Sequence, residues 1–184
     1  LVLVVNAGSN AEAYAKRLGY DYQSQEGWYA AWSAYENANG YGLVANAGTA
    51  PVDTAILPSL YRGEAVNKIY DATQLAANTI VLPQLLEEIT TQAFQGNKSL
   101  RKLVFQDRLR TIASQAFQGC SALTAAPLPF GLTSIGIGAF ENCTSLSEVS
   151  FPETLTHLEA ACFYGCESLS RLAIPRSLCL LPIA

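Results

Sequence analysis

The residue types that could do chemistry in this chain are few, and their spacing argues against a reaction. His157 is the only histidine, so the hydrolase triads and histidine-rich metal centres that need imidazoles among fixed partners have one candidate and no set. Cys162 and Cys166 stand four residues apart, with Cys179 further on. They would supply three of the four ligands of a zinc site, and no fourth is evident. Glu87 and Glu88 are adjacent; on a strand neighbours face opposite ways, so they do not form an acid/base pair. Gly136-Ile-Gly138 looks like the start of a dinucleotide loop, but no helix of useful length follows to hold a phosphate. These residues predict no enzyme, no metal and no cofactor.

Binding chemistry has more candidates. Lys98, Arg101, Lys102, Arg108 and Arg110 hold five of the eleven basic residues and could form a patch for an anionic ligand, or simply a solvated surface. Both tryptophans and six of the nine tyrosines lie between Tyr14 and Tyr41. Trp28, Trp32 and Tyr35 could stack on a sugar or a peptide, or could instead cover an apolar edge.

The elements that must position these residues come from a repeat. Phe94, Phe117, Phe140 and Phe163 are each 23 residues from the next. Leu100, Leu123, Leu146 and Leu169 keep the same spacing, as do Leu86, Leu109, Leu132, Leu155 and Leu178. A fourth column is Ile89, Ile112, Ile135, Leu158 and Leu181. A constant period of this length marks a solenoid, in which each unit buries its apolar face only against its neighbours. Ile80-Val-Leu-Pro83, Val149-Ser-Phe-Pro152 and Leu172-Ala-Ile-Pro175 read as short strands that stop where proline has no N–H to give. A second extended piece follows near residues 109–112, 132–135 and 155–158. A corner, expected as one helical turn, is then closed by Gly96, Gly119, Asn142 or Gly165 at positive φ.

That register assigns outward positions. Thr79, Lys102, Ala125, Glu148 and Arg171 form one column of the main strand's exposed face, and Val81, Val104, Pro127, Ser150 and Ala173 the next. Such a face is where a repeat protein meets a partner. His157 falls in an outward column with Glu88, Thr111 and Ser134. Cys120, Cys143 and Cys166 form an inward column, with Asn97 one turn earlier. Stacked side chains point the same way, so these cysteines read as small buried residues rather than disulfide partners. Ala126-Pro127 places a proline inside a strand, which should loosen that turn.

Half of the 184 residues are hydrophobic and 14% are charged, a composition for a packed array rather than a disordered chain. The net charge of -4 speaks against a nucleic acid or an anionic membrane as partner. The chain has no methionine, so it reads as a processed or excised piece. Its opening Leu1-Val-Leu-Val-Val5 is too short for a signal-peptide core or a membrane span. Three segments are expected. Residues 1–27 hold a strand at 1–5, a short helix at 11–18 and a polar connector at 23–27. Residues 28–65 form an aromatic-rich hairpin turning at Asn37-Ala-Asn-Gly40, although Trp28, Trp32 and Tyr35 also fit helical spacing. Residues 66–184 are the array, with a degenerate turn at 66–79, twenty residues ahead of its successor, and regular repeats over 80–181.

Ala116-Phe-Gln-Gly-Cys-Ser-Ala-Leu123, Ala139-Phe-Glu-Asn-Cys-Thr-Ser-Leu146 and Cys162-Phe-Tyr-Gly-Cys-Glu-Ser-Leu169 resemble the BspA-type leucine-rich repeat. The resemblance implies a mostly β solenoid with short helical turns, of the α/β leucine-rich-repeat class, right-handed and about five turns long. It makes the hairpin a lead-in to the array, and residues 1–27 similar to the end cap of a preceding one. It also implies an extracellular or cell-surface bacterial protein for protein–protein interaction or adhesion, with no catalytic residue and no cofactor. Its partner would be a host or bacterial surface protein or a glycan, without insertion of this piece into a membrane. The alternatives are a structural spacer, or an accessory, glycan-binding module of a larger surface protein or enzyme. Asn97 and Cys162 depart from the pattern, which has Cys and Ala there.

Overall fold

The computed structural model describes residues 3–5, 22–24, 32–45, 52–61 and 63–179. Stacking is set by parallel ladders whose partners lie one repeat apart. Strands β5 (Val52–Ile56), β8 (Ala77–Val81), β10 (Lys102–Val104), β12 (Ala125–Pro127) and β14 (Glu148–Ser150) form one sheet in that spatial order. A second sheet joins β3 (Trp32–Asn37), β4 (Gly40–Ala45), β7 (Glu64–Asp71), β9 (Glu88–Ile89), β11 (Thr111–Ile112), β13 (Ser134–Ile135) and β15 (His157–Leu158). β6 (Leu60–Tyr61) pairs with β7 as a side branch. The pairings Thr79↔Lys102 and Ala125↔Glu148, and Glu88↔Thr111↔Ser134↔His157 across the second sheet, reproduce the columns residue for residue. A mostly β leucine-rich-repeat-like solenoid of about five turns is the result.

Between the sheets lies a continuous core. Phe94, Phe117 and Phe140 are fully buried. Their rings stack with centroids 5.1 Å apart, and Phe140 stacks on Phe163 at 5.4 Å, close to the strand spacing of roughly 4.7–4.9 Å. The leucine and isoleucine columns lie beside them, buried from Leu86 and Ile89 to Ile135, Leu146 and Leu155. At the last turn Phe163, Leu158 and Leu169 are only partly buried.

The corners differ from the single helical turn expected. Each is a pair of i→i+3 turns, such as Gln95 N–H to Gln92 O and Asn97 N–H to Phe94 O. Two left-handed residues permit this. Gly96, Gly119, Asn142 and Gly165 have φ of 57–72°, as expected of that slot. Four residues earlier, Gln92, Gln115, Gly138 and Ala161 have φ of 57–61°, a requirement the residue types conceal. Helix α1 is one turn, Arg176–Cys179.

The start of the array is irregular, and two buried amides hold it. Lys68↔Glu88 and Ile69↔Ile89 pair across 20 residues, which leaves no room for a full corner. Asn97 fills the gap: its Nδ2 donates to Ala72 O at 3.2 Å and Leu75 O at 2.9 Å, while its Oδ1 accepts from the N–H of Ser99 and Leu100. An amide reaches both carbonyls where a thiol would reach one. Asn67 performs the other task, exchanging side-chain bonds with Asn37 and donating to Asn39 O at 3.0 Å. It ties down the β3–β4 hairpin, whose turn opens at Asn37↔Gly40. Strand β4 runs parallel to β7, and Trp32, Leu43 and Ala45 enter the core.

Pro127 loosens its turn as expected. Pairing covers three residues between β8 and β10 and between β12 and β14, but only Lys102↔Ala125 between β10 and β12. Near the start, β1 (Leu3–Val5) and β2 (Tyr22–Ser24) make a separate parallel pair. Gln23 and Ser24 therefore belong to a strand rather than to a connector, since Val4 and Val5 give their backbone partners. The helix expected at 11–18 lies outside the described residues.

Two substitutions test the stack. Phe117→Ala should cost about 3–5 kcal/mol, the range for deleting a buried aromatic, read as a shift in urea midpoint; a loss below about 1 kcal/mol would sink the ring file as the main support. Ala161→Gly should instead stabilise by about 0.5–1 kcal/mol, because an exposed alanine at φ 57° is strained where glycine is not.

Candidate functional site

The alternation of each short strand turns Leu103, Ala126 and their equivalents inward and leaves the flanking residues outside. Lys102 and Glu148 are exposed and Thr79 is half-buried on the outer face of the five-stranded sheet, while Arg171, also exposed, lies outside its ladder. At the C-terminal end of this face lies a shallow depression of about 590 Å³. Pro127, Glu148, Arg171 and Ala173 line it, together with Ser147 and Ser170. The two serines escaped notice because they precede the main columns; their 23-residue spacing was the available signal. The depression offers one carboxylate, one guanidinium and hydroxyls over small apolar side chains. Such a set can bind by charge pairing and hydrogen bonding.

Other candidates are dispersed by the fold. Lys98 sits at a corner, its Nζ on Gly119 O at 2.8 Å. Arg110 reaches the other side, donating to Gly131 O at 2.8 Å and Asp107 O at 3.2 Å. A Cβ on Gly131 would lie 2.0 Å from the backbone carbonyl oxygen of Asp107, which cannot swing aside as a side chain can, so glycine is required there. Arg101 and Lys102 stay on the sheet face, and the five basic residues form no single patch. His157 is exposed, with Nδ1 2.9 Å from Thr156 Oγ1. Its column also carries the Lys68–Glu88 ion pair at 2.5 Å, and the Glu88 hydrogen bond holds the Lys68 ammonium above its ordinary range. Among the described residues no three His, Cys, Asp or Glu side chains converge as metal ligands. Nor, among them, is any helix long and apolar enough to cross a membrane.

Of the aromatic residues considered as a platform, one is withdrawn from the surface. Trp32 is 4% exposed, so its ring packs in the core and cannot stack on a ligand. Tyr35 is exposed, and Trp28 lies outside the described residues. A polar ladder that the sequence reading missed runs along the corners instead: Gln95 donates to Gln118 at 2.5 Å and Gln118 to Glu141 at 2.8 Å, with Gln92 to Gln115 at 3.0 Å alongside.

The family model described as BspA type Leucine rich repeat region matches residues 67–181 in six copies. The chain belongs to the BspA-type leucine-rich repeat family. Solved structures share the fold. A leucine-rich repeat protein from T. pallidum superposes with a TM-score of 0.68 at 24% identity, over 76% of this chain and 67% of its own. One from Bacteroides ovatus gives 0.55 at 23% identity, over 79% and 45%. A leucine-rich cell surface protein from Faecalibacterium prausnitzii gives 0.50 at 22%, over 76% and 52%. Among curated proteins, none matches the chain.

The BspA-type repeat explains its own thiols. Cys120, Cys143 and Cys166 each donate Sγ–H to the carbonyl of the phenylalanine one turn back, at 3.0–3.2 Å from Phe94, Phe117 and Phe140 O. The column is thus a set of turn-to-turn hydrogen bonds as well as packing. These cysteines and Cys162 are free thiols. Burial pushes Cys120 up to about 12 and Cys162 up to about 11, and raises Cys143 and Cys166 as well.

Cys120 and Cys143 should therefore resist an aromatic disulfide reagent at pH 8 in the native protein and react at once in urea, since only the thiolate attacks. A thiol whose folded pKa is raised stabilises fully below its unfolded value, near pH 8.5. Stability should fall as pH climbs from there toward 12. Fast native labelling of Cys120 at pH 8 would contradict the buried column.

Proposed function

We propose that this chain is an extracellular interaction module of a bacterial surface protein, binding a host or bacterial surface protein through the outer face of the five-stranded sheet. The observation that supports the reading is that Thr79, Lys102 and Glu148 stand in register along one exposed sheet face, with Arg171 lining a depression at its end. Rigid display avoids the ordering cost that a flexible loop incurs on binding. The Faecalibacterium relative is a leucine-rich cell surface protein and another structural neighbour is a pneumococcal vaccine antigen, which supports surface display. The module works by adhesion and performs no reaction.

The test is binding of the purified chain to immobilised host matrix proteins and glycans. Lys102→Glu, Glu148→Lys and Arg171→Glu should each weaken capture by about tenfold, equal to about 1.4 kcal/mol. His157→Ala, on the other sheet, should leave it unchanged. No capture at high micromolar concentration would favour a structural spacer. Loss with His157→Ala but not with the others would move the site to the opposite face.

A further inference from the structure

Register places a sixth strand of the first sheet at residues 171–173, one repeat after β14, yet that segment is not in the ladder. In the turns before it, the residue opening the strand donates its N–H to the preceding turn. Arg101 binds Asn78 O at 2.8 Å, Thr124 binds Arg101 O at 3.1 Å and Ser147 binds Thr124 O at 3.0 Å. Thr124 and Ser147 add their hydroxyls to the same carbonyls. Among the described residues Ser170 makes neither bond to Ser147. The last turn is nonetheless held on both sides of the opening. Ser168 binds Thr144 O through its N–H at 3.2 Å and its Oγ at 2.7 Å, and Ser177 Oγ binds Leu155 O at 2.5 Å.

Between these anchors residues 170–173 form no backbone bond to β14 among the described residues, and the two segments line opposite parts of the depression. Leu128 N–H donates to Ser150 O at 3.2 Å, so Ser150 faces β12. Alternation along the strand then turns the N–H and C=O of Val149 to the open side. The carbonyl of Ser147 faces the same way, as its equivalents at Arg101 and Thr124 do. These are the groups with which a sheet edge takes up another strand. Apart from Glu148 and Arg171 the lining side chains are small, so a backbone can approach. Glu148, exposed at the rim, forms no ion pair among the described residues. The repeat itself supplies an arginine, Arg171, at the position one turn on from Glu148, so the slot matches a basic residue.

We infer that β14 takes up an extended polypeptide segment as an added strand, with a lysine or arginine of that segment in register with Glu148. This rests on the reading of the face as a binding surface and names its occupant: protein backbone rather than glycan. Affinity comes from main-chain hydrogen bonds to Ser147 and Val149, and selectivity from Glu148.

The probe is a capped synthetic peptide with the sequence of residues 99–106, which already forms a strand of this sheet and carries Lys102 at the required position. At millimolar peptide, amide exchange of Val149, followed by NMR, should slow by about tenfold or more, the protection a newly paired edge amide gains. A peptide with glutamate in place of that lysine should protect it far less, and Glu148→Gln should abolish the preference between the two. An unprotected Val149 amide with both peptides overturns the inference. So does an amide already protected in the free chain, because the protein's own 171–173 segment then fills the edge. Capture of a surface protein that is sensitive to Lys102→Glu, with Val149 still unprotected, would leave the broader binding reading intact and remove strand addition alone.

Discussion

Every part of this molecule depends on one constraint: each turn must end directly above the point where the last one began. Parallel strands at sheet spacing impose it, because a hydrogen-bonded ladder forms only if each turn, whatever its length, brings its strand back beside the last. Once 23 residues satisfy it, each side chain meets its own kind. Phenylalanine rings lie face to face at 5.1 Å, thiols meet carbonyls, and threonine hydroxyls meet the carbonyl one turn back. Each interface is then a copy of the one before, and stability accumulates by nearest-neighbour terms.

The constraint also explains where irregularity gathers. The turn entering the regular array is three residues short, and its closure falls to Asn97 and Asn67, the two buried polar side chains among the described residues. Pro127 narrows one ladder without displacing the core: Ala126 beneath it stays fully buried. The strongest departures among the described residues lie at the hairpin and at residues 169–175.

Much of this was legible in the residues, because a column needs only identity and spacing. Asn142 in the glycine slot was readable as left-handed, since asparagine tolerates that conformation. Gln92, Gln115 and Ala161 were not: nothing in a glutamine or alanine announces a positive φ, and Gly138, the one informative member, looked like part of a different motif. The cysteine column was visible, but its hydrogen bonds depend on where the phenylalanine carbonyls of the preceding turn point, which composition does not encode. Trp32 illustrates a different limit. Aromatic density at an array's start fits both a platform and a lid, and only packing against Leu43 and Ala45 separates them. The open edge beside β14 was hidden because Arg171-Leu-Ala173 alternates like any strand of the sheet, and strand formation there is decided by a partner rather than by pattern.

Asn97 has a bearing on how such a molecule can lengthen. Beyond it, the junctions from Phe94 to Phe163 share the same stacked core and differ chiefly where Pro127 narrows one ladder, so a duplicated unit slipped between them would find a matching floor and ceiling. Ahead of it, a copied unit would meet a shorter coil whose two carbonyls are taken up by the Asn97 carboxamide. Growth by copying is thereby confined to one side of a single residue, which acts as the foundation course from which the number of storeys is free to vary.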